Sequence, residues 1–429
     1  MITTLITNGH IIDPANGVNR VGDVYISGGK IERIDLDARA RQHEDGVEII
    51  DASGLVVAPG LIDIHVHLRE PGQSAKETIA TGARAAAAGG FTSVVCMPNT
   101  SPAVDNASVV TSIREKTHEA CVHIFTTGAI TKNLAGEELA PIGSMHKAGI
   151  VALTDDGHCV QNHELMRRAL EYARMFALPV MDHCQDYNLV GKGVMHEGYW
   201  SARLGLPGWP AIGEEIIVAR NAHLAELCDT PIHCQHLSAA GSVRILRAAR
   251  ARGVKISGEV CPHHLALTDE SIRAFDTNFK MNPPLRTPAD IDALLEGIAD
   301  GTLTILASDH APHCEFEKEV EFDQAPFGIV GLETELALFL DILIHKKRAI
   351  ELPRLIAMLT SEPAQLLNLD RGTLSPGAPA DVTLLDPDLE WTVDKTQFQS
   401  RSCNTPFHGL ELKGRAVRTI VDGQTVWQI

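Results

Sequence analysis

The sequence predicts an α/β fold, a (β/α)₈ TIM-like barrel with a small β-sandwich domain formed from both ends of the chain. The first observation behind this prediction is a change of hydrophobic period. Residues 1–57 and 373–429 alternate apolar and polar positions, as half-buried strands do, whereas residues 58–372 alternate short apolar runs with longer helical segments. The second is length, because 429 residues exceed most single cores but accommodate a barrel and a smaller domain.

The two ends of the chain share the same strand pattern. The N-terminal runs LITNGHIID, GDVYISGGKIERID and VEIIDASGLVVAPG alternate in polarity and contain Asn-Gly or Gly-Gly breaks. The C-terminal run GRAVRTIVDGQTVW contains Asp422-Gly423, which is a hairpin signal. Two similar β-rich ends around a different middle indicate one β-domain assembled from both termini.

The middle of the chain contains eight candidate strands, each followed by a helical or loop segment. The strands are LIDIHVH, TSVVCM, VHIFTTG, IVALTDD, LPVMDHC, TPIHCQH, VKISGEV and LTILASDH. The helical segments are KETIATGARAAAA, ASVVTSIREKT, ELAPIGSMHKA, NHELMRRALEYARMF, EEIIVARNAHLAEL, AAGSVRILRAARAR, PADIDALLEGIAD and LETELALFLDILIH. A doubly wound open sheet is the alternative, but no glycine-rich dinucleotide fingerprint follows the first strand.

Composition excludes several classes of protein. The net charge is 37 − 55 = −18, which argues against binding to nucleic acid or to a membrane surface. The sequence has no apolar run of membrane-spanning length and no signal-peptide pattern at its start. Nine cysteines without a CxxC pair suit reduced thiols in the cytoplasm. An anionic substrate would need local cationic groups.

Polar residues gather at the ends of five of the eight strands. In a strand, residues two apart point to the same face, so His65 and His67 project together at the end of the first strand. A single histidine at a strand end is more often hydrogen-bonded than metal-bound, and an aspartate before glycine is more often a turn former. The other strand ends carry Asp155-Asp156-Gly157, Asp182-His183, His233-Cys234-Gln235-His236 and Ser308-Asp309-His310.

This gathering predicts a metal site at the carboxyl-terminal rim of the barrel, where such folds build active sites. Imidazole nitrogen and carboxylate oxygen suit Zn²⁺ and also accept Mn²⁺ or Co²⁺. Four histidines and two aspartates exceed the three protein ligands of an ordinary catalytic zinc site. Two metals that share a bridging carboxylate would use all six. From the residues alone, either Asp155 or Asp156 could reach the site.

Nine motifs in order resemble a known family. They are GLIDIHVHLREPG, MPNT, TDDG, DHCQD, CQHLS, EVCPHHL, KMNPPLR, SDHAPH and APFGIVGLET. The chain resembles the amidohydrolase superfamily and, within it, the bacterial dihydroorotases of the class I type. KMNPPLR, and DHAPH with PFGIVGLE, are specific to dihydroorotases, whereas the HxH motif alone indicates the superfamily.

The resemblance implies a ligand set for two Zn²⁺ ions. It assigns His65, His67 and Asp309 to the first metal, His183 and His236 to the second, and Asp156 to the bridge. Many relatives bridge with a carboxylated lysine instead. The fourth strand offers no lysine at its end, and Lys132 is interpreted as a solvated loop residue.

The implied reaction is the reversible cyclisation of N-carbamoyl-L-aspartate to L-dihydroorotate and water in de novo pyrimidine (UMP) biosynthesis. The resemblance implies hydroxide activated by two metals and a proton shuttle by Asp309. Arg69, two residues after the first strand, is expected to bind the substrate carboxylate, although a surface salt bridge with Glu70 is the alternative. The resemblance adds Asn99, Asn282, His313 and backbone groups at Phe327 and Gly328 as substrate contacts.

Two other segments receive structural interpretations. The charge-rich run CEFEKEVEFD, residues 314–323, is predicted to be a solvated, mobile lid. His263 and His264 are predicted to be hydrogen-bonded structural residues rather than metal ligands.

The functional alternatives are another cyclic amidase, acting on hydantoins, dihydropyrimidines or allantoin, and a metal-free paralogue that assembles with aspartate transcarbamoylase. Family analogy favours a homodimer.

Overall fold

The structure is a computed structural model that describes residues 3–35 and 47–429. Its strands are β1 Thr3–Asp13, β2 Val18–Ser27, β3 Lys30–Asp35, β4 Val47–Asp51, β5 Val56–Pro59, β6 Leu61–Val66, β7 Phe91–Cys96, β8 His123–Thr126, β9 Val180–Asp182, β10 Met195–His196, β11 Gly208–Trp209, β12 Ile232–Cys234, β13 Ile256–Val260, β14 Ile305–Leu306, β15 Val382–Thr392, β16 Glu411–Val421 and β17 Gln424–Gln428.

The helices lie mostly between the barrel strands. They are α1 Ile79–Gly89, α2 Ala107–Thr117, α3 Ile142–Ala148, α4 His163–Arg174, α5 Tyr187–Val190, α6 Tyr199–Leu204, α7 Ile212–Cys228, α8 Ala240–Ala251, α9 His263–Ala266, α10 Pro288–Ala299, α11 Glu315–Lys318, α12 Glu335–Phe339, α13 Leu352–Leu359 and α14 Ser361–Leu366, with a π-helix at Leu340–Lys346 directly after α12. Short 3₁₀ helices occur at Pro14–Asn16, Lys132–Leu134, Asp269–Ala274, Thr277–Phe279 and Lys395–Gln397.

Strands from both ends of the chain form one eight-stranded sheet. Its order is β17-β16-β15-β5-β1-β2-β3, and β4 pairs with β1 in parallel. β5 joins the two ends, because it pairs with β1 on one side and with β15 on the other. Ile6, Ile11, Val57, Val382 and Ile420 bury their side chains in the core of this sheet. The predicted fold class is confirmed, whereas the domain bounds at residues 57/58 and 372/373 stay a prediction.

Asn8-Gly9 and Asp422-Gly423, two of the glycine signals in the terminal strands, behave differently. Asp422-Gly423 forms the turn of the β16–β17 hairpin, as predicted. Asn8-Gly9 does not interrupt its strand, because β1 runs through it with a register shift at this point and with a φ of 59° at Asn8. A Cβ atom on Gly9 would lie 2.3 Å from Val57 Cγ2, so the close approach of β1 to β5 requires glycine.

The barrel is built from two parallel sheets that irregular bridges close. β6, β7 and β8 form one sheet, and β9, β12, β13 and β14 form the other. Leu153 bridges Gly128 on one side and Val180 on the other, so the fourth predicted strand is reduced to one bridging residue. A bridge between Val66 and His310 closes the ring. The carboxyl ends of the strands therefore meet at one rim.

Residues 187–209 form an insertion that the sequence pattern did not predict. It consists of α5, α6 and the short parallel pair β10–β11, between β9 and α7. The fully buried Arg286 holds it to the barrel, since its Nη1 donates to Trp209 O at 3.0 Å and its Nε donates to Ser238 Oγ at 3.1 Å. Its Nη2 lies 3.9 Å from the buried carboxylate of Glu214.

Within residues 3–35 and 47–429, none of the helices combines the length and the apolar character that crossing a membrane requires.

Replacing the buried arginine should weaken the fold. Arg286→Met should lower the free energy of unfolding by about 3 kcal/mol, because Glu214 and the Trp209 carbonyl lose a buried charged partner. Arg247→Met is the matched control, because Arg247 pairs with Asp300 at 2.6 Å on the surface, and it should cost less than about 1 kcal/mol. Urea unfolding measures both values, and equal small losses would contradict the anchoring role of Arg286.

Candidate active site

Two histidines of the first barrel strand face two carboxylates at the rim. His65 is fully buried, and its Nε2 has no hydrogen-bond partner among the described residues. This nitrogen lies 3.3 Å from Asp156 Oδ1 and 3.5 Å from Asp309 Oδ1. His67 Nε2 lies 3.1 Å from the same Asp309 oxygen and 3.5 Å from Asp156 Oδ2. The structure therefore brings together the first predicted group of ligands.

The histidines of the fifth and sixth barrel strands face each other across Asp156. His183 Nδ1 and His236 Nε2 are 2.8 Å apart, and they lie 3.5 and 3.7 Å from Asp156 Oδ1. His183 Nε2 donates to Gln185 Oε1 at 2.8 Å, which leaves Nδ1 with its lone pair directed at the rim. Burial would raise the pKa of Asp156, but the facing imidazoles outweigh it and hold that pKa well below its usual range.

The structure distinguishes the two aspartates that the residue pattern alone left open, and it agrees with the resemblance in placing Asp156 at the rim. Asp155 accepts hydrogen bonds from the backbone nitrogens of Ile130 and Thr131 at 2.7 and 3.0 Å and from the Thr131 hydroxyl. Burial raises its pKa to about 7. Asp155 therefore caps a loop, and Asp156 is the carboxylate at the rim. Lys132 is exposed and pairs with Glu138 at 2.6 Å, in agreement with its interpretation as a loop residue.

A cavity of about 160 Å³ opens above these side chains. Every predicted site residue except the fully buried His65 lines this cavity. The lining residues are His67, Arg69, Asn99, Asp156, Gly157, His183, His236, Asn282, Asp309, Ala311, His313, Phe327 and Gly328.

Arg69 places a buried positive charge in the cavity wall. Its side chain donates from Nε to Pro312 O at 3.2 Å. Burial lowers its pKa to about 10, so the guanidinium stays charged at neutral pH. Glu70 instead pairs with Lys116 at 3.1 Å and accepts from the backbone nitrogen of Ile79. The alternative interpretation, a surface salt bridge between Arg69 and Glu70, is wrong.

The two asparagines occupy different positions in the cavity. Asn99 Oδ1 accepts from His67 Nδ1 at 2.9 Å, and its Nδ2 donates to Asp156 Oδ2 at 3.2 Å, so Asn99 orients two rim residues. Asn282 Nδ2 donates to Gln185 Oε1 at 3.1 Å. Its buried Oδ1 has no hydrogen-bond partner among the described residues, so an acceptor is left over at the cavity.

The remaining predicted contacts lie on the far wall. His313 Nε2 donates to Phe327 O at 2.8 Å, and burial lowers its pKa to about 2, so its imidazole is neutral. The backbone nitrogen of Gly328 donates to Lys280 O at 2.9 Å, and its carbonyl accepts from Asn404 Nδ2 at 3.1 Å. The Phe327 carbonyl and the Gly328 amide thus already have partners within the protein.

The charge-rich segment of residues 314–323 is not simply solvated. Lys318 is buried, and its ammonium donates to Pro326 O at 2.8 Å and to Thr277 O at 3.1 Å. Phe322 is also buried. The prediction of a solvated lid is wrong for these residues, because backbone carbonyls supply the hydrogen bonds that water would otherwise make.

The prediction that the two histidines after the seventh strand are structural stays a prediction. Both His263 and His264 are buried, and His264 Nε2 donates to Pro283 O at 3.0 Å, whereas His263 Nε2 has no hydrogen-bond partner among the described residues. Together with Cys261, the two histidines place three ligand atoms within 4.8 Å of one another.

Sequence reasoning missed two residues that hold the rim. Glu259, at the end of the seventh barrel strand, accepts from His65 Nδ1 at 2.6 Å. Gln185 accepts from both His183 and Asn282. The signal for Glu259 was present, because it is a polar residue at the carboxyl end of a strand, the same criterion that identified the other five strand ends.

The imidazole nitrogens and carboxylate oxygens at the rim fit a divalent cation as ligands. His65–His67–Asp309 and His65–Asp156–His236 each place three ligand atoms within 4.8 Å of one another. The buried His65 Nε2, which has no hydrogen-bond partner among the described residues, is costly in a dry site unless a cation accepts its lone pair. Imidazole and carboxylate together suit Zn²⁺ and its neighbours. A barrel with this rim defines the class of metal-dependent hydrolases that act on amide bonds.

Comparisons with known proteins agree with this class. Residues 211–427 match the model of the amidohydrolase family, and residues 54–242 match the dihydro-orotase-like model. The structure is similar to an L-hydantoinase (dihydropyrimidinase) from Arthrobacter aurescens, with a TM-score of 0.88 and 24% identity over 100% of this chain and 96% of that one. It is also similar to a dihydropyrimidinase from Brevibacillus agri, with a TM-score of 0.86 and 25% identity over 100% and 95% of the two chains.

Sequence similarity shows to which family within this superfamily the chain belongs. A dihydroorotase of Pelotomaculum thermopropionicum is 52% identical over 99% of this chain and 98% of its own length. A dihydroorotase of Citrifermentans bemidjiense is 51% identical over 99% of both chains. The chain belongs to the dihydroorotase family of the amidohydrolase superfamily, whose members are metal-dependent cyclic amide hydrolases.

Metal removal should lower the thermal stability of the protein. A cation that binds only the folded rim, present at a hundredfold excess over its Kd, contributes about 2.7 kcal/mol. Stripping with a chelator should therefore lower Tm by several degrees, and Zn²⁺ should restore it. His65→Ala should respond less to added Zn²⁺, whereas His223→Ala, at an exposed position of α7, should respond as the wild type does. A wild-type Tm unaffected by chelator or Zn²⁺ would contradict the metal site.

Proposed function

We propose that the protein catalyses the reversible cyclisation of N-carbamoyl-L-aspartate to L-dihydroorotate and water, the step that makes the pyrimidine ring. One observation favours dihydroorotate over other cyclic amides as the substrate. The buried guanidinium of Arg69 lies in the wall of the cavity above the His/Asp rim. Dihydroorotate carries a carboxylate beside its ring, whereas hydantoin and dihydrouracil do not. A buried cation at this place suits the charged substrate.

We further propose that the rim holds two divalent cations, with Zn²⁺ favoured over Mn²⁺ or Co²⁺. His65, His67 and Asp309 would hold one, His183 and His236 the other, and Asp156 would bridge them. The central position of Asp156, 3.3 to 3.7 Å from an imidazole nitrogen of each of the four histidines, supports this assignment. When bound, such cations polarise a carbonyl oxygen and lower the pKa of a water molecule.

The side chains of the cavity bind and orient the substrate. Arg69 would bind the carboxylate with its two Nη groups, since its Nε is already bonded to Pro312 O. Asn282 Oδ1, which has no hydrogen-bond partner among the described residues, would accept from an N–H of the ring or of the ureido group. Asn99, His313 and the backbone of Phe327 and Gly328 complete the wall and exclude water.

Asp309 would move the proton. Its Oδ1 faces His65 and His67, and no hydrogen bond to Oδ2 is observed among the described residues. In ring opening, Asp309 takes the proton from the attacking water and gives it to the amide nitrogen as the C–N bond breaks. In cyclisation it takes the proton from the ureido nitrogen and gives it to the departing oxygen. The same carboxylate therefore serves both directions.

A hydantoin or dihydropyrimidine hydrolase is the second candidate. The similarity of the fold to hydantoinases favours it, at 24% to 25% identity. The full-length similarity to dihydroorotases at 52% identity and the position of Arg69 favour the first candidate.

The substrate assignment is tested through Arg69. Purified protein loaded with Zn²⁺ should open dihydroorotate faster than hydantoin or dihydrouracil. Arg69→Met should raise KM for dihydroorotate by about 30-fold or more, because a buried charge pair is lost. Arg69→Lys should recover part of this loss, since it restores the charge without the bidentate fork. Faster opening of a neutral ring by the wild type, or an unchanged KM in Arg69→Met, would reject the assignment.

The proton transfer is tested through Asp309. Asp309→Asn keeps the size and a carbonyl oxygen but carries no proton, so kcat should fall by about 10²- to 10⁴-fold in both directions. Metal content and dihydroorotate binding, measured by elemental analysis and calorimetry, should persist. A variant with bound metal and a kcat near the wild-type value would show that another group moves the proton, and His313→Ala would be measured next.

A further inference from the structure

We propose that Glu259 is a positioning residue for metal binding. Its buried carboxylate orients ligands of both proposed metals, His65 through the imidazole ring and His236 through the backbone. This inference rests on the ligand set of the proposed function. Glu259 would thereby raise the affinity with which the rim binds its cations.

Glu259 lies at the carboxyl end of β13 and is fully buried. Its Oε1 accepts two hydrogen bonds, from His65 Nδ1 at 2.6 Å and from the backbone nitrogen of His236 at 3.1 Å. Its Oε2 accepts from His233 Nε2 at 2.9 Å. One carboxylate thus touches the first, sixth and seventh strands of the barrel.

The bond to His65 determines which nitrogen of that ring faces the rim. Because Nδ1 carries the hydrogen that Glu259 accepts, Nε2 keeps its lone pair. This is the buried nitrogen that lies 3.3 Å from Asp156 and 3.5 Å from Asp309 and that has no hydrogen-bond partner within residues 3–35 and 47–429. A carboxylate behind a ligating imidazole fixes its orientation and raises its basicity. Glu259 therefore prepares His65 to bind a cation.

The bond to His236 supports an unfavourable backbone conformation. His236 has a φ of 33°, in the left-handed region that residues with a side chain rarely adopt. In this conformation its Nε2 lies 2.8 Å from His183 Nδ1. The hydrogen bond from the His236 nitrogen to Glu259 helps to hold this conformation, so the second pair of ligands depends on the same carboxylate.

The third contact keeps Glu259 itself in place. His233 Nδ1 accepts from Ser257 Oγ at 2.8 Å, and its Nε2 donates to Glu259. Both oxygens of the carboxylate are thereby hydrogen-bonded, although the side chain is fully buried. A satisfied buried network of this kind restrains its members to one arrangement.

The test is the metal affinity of Glu259→Gln, which keeps the size and one acceptor oxygen but removes the charge. Wild type and variant would be stripped with a chelator and titrated with Zn²⁺ by competition and with Co²⁺ by its visible absorption spectrum. We expect affinity to fall by about 10- to 100-fold and the Co²⁺ spectrum to change. Glu259→Asp, which keeps the charge but cannot reach all three donors, should also lose affinity.

Asp13→Asn is the matched control. Asp13 is also a fully buried carboxylate, and it accepts from the backbone nitrogen of Leu374 at 2.9 Å, but it lies at the end of β1 in the terminal sheet. It should bind Zn²⁺ and Co²⁺ as the wild type does. Near-UV circular dichroism of each stripped protein measures whether the fold is retained.

Four outcomes would overturn the proposal. They are an unchanged affinity and Co²⁺ spectrum in Glu259→Gln, no loss of affinity in Glu259→Asp, an equal loss of affinity in Asp13→Asn, and loss of the folded state in both Glu259 variants. His65→Ala separates this failure from failure of the proposed function. If His65→Ala loses metal while Glu259→Gln does not, the ligand set stands and only the positioning role falls. If His65→Ala retains its full metal content, the ligand set itself is wrong.

Discussion

The burial of carboxylates among imidazoles at one end of the barrel is the constraint on which the rest of the site depends. Asp156 has four histidines within 3.7 Å, and the side chains of the rim are almost completely buried. A buried charge costs several kcal/mol unless it is paired and hydrogen-bonded. The rim therefore needs partners behind it, and Asn99, Gln185 and Glu259 supply them. Their hydrogen bonds offset part of the free-energy cost of burying the rim side chains and hold those side chains in one orientation.

Closure of the barrel brings the rim together from distant parts of the chain. The backbone nitrogen of His67 donates to His310 O at 2.8 Å, which places the ends of the first and last strands side by side. The terminal sheet supports the opposite end of the barrel. Gly60 N donates to Asp381 O at 2.8 Å, where β5 passes into the first barrel strand, and Arg371 pairs with Asp381 at 2.9 Å. One end of the barrel is thus braced while the other remains open for chemistry.

The chain carries an excess of negative charge, and one of its few buried cationic side chains lies in the cavity wall. The net charge of −18 would repel an anionic substrate, yet Arg69 lies in the cavity wall with its guanidinium charged. Behind the wall, the buried ammonium groups of Lys280 and Lys318 donate to backbone carbonyls of the segment that leads to Phe327. These lysines brace the wall through hydrogen bonds, and Arg69 supplies the charge that faces the cavity.

The sequence by itself determined the barrel, the terminal sheet and the rim, because hydrophobic period and the position of polar residues at strand ends are local properties. Neighbouring residues in a strand point to opposite faces, so the strand pattern alone could not choose between Asp155 and Asp156, and the choice rested on the resemblance until the structure showed the short fourth strand. The bulge at Asn8, the burial of Lys318 and the three contacts of Glu259 were also decided only by the tertiary structure. Each depends on partners far away in the sequence, and no local pattern encodes such a contact.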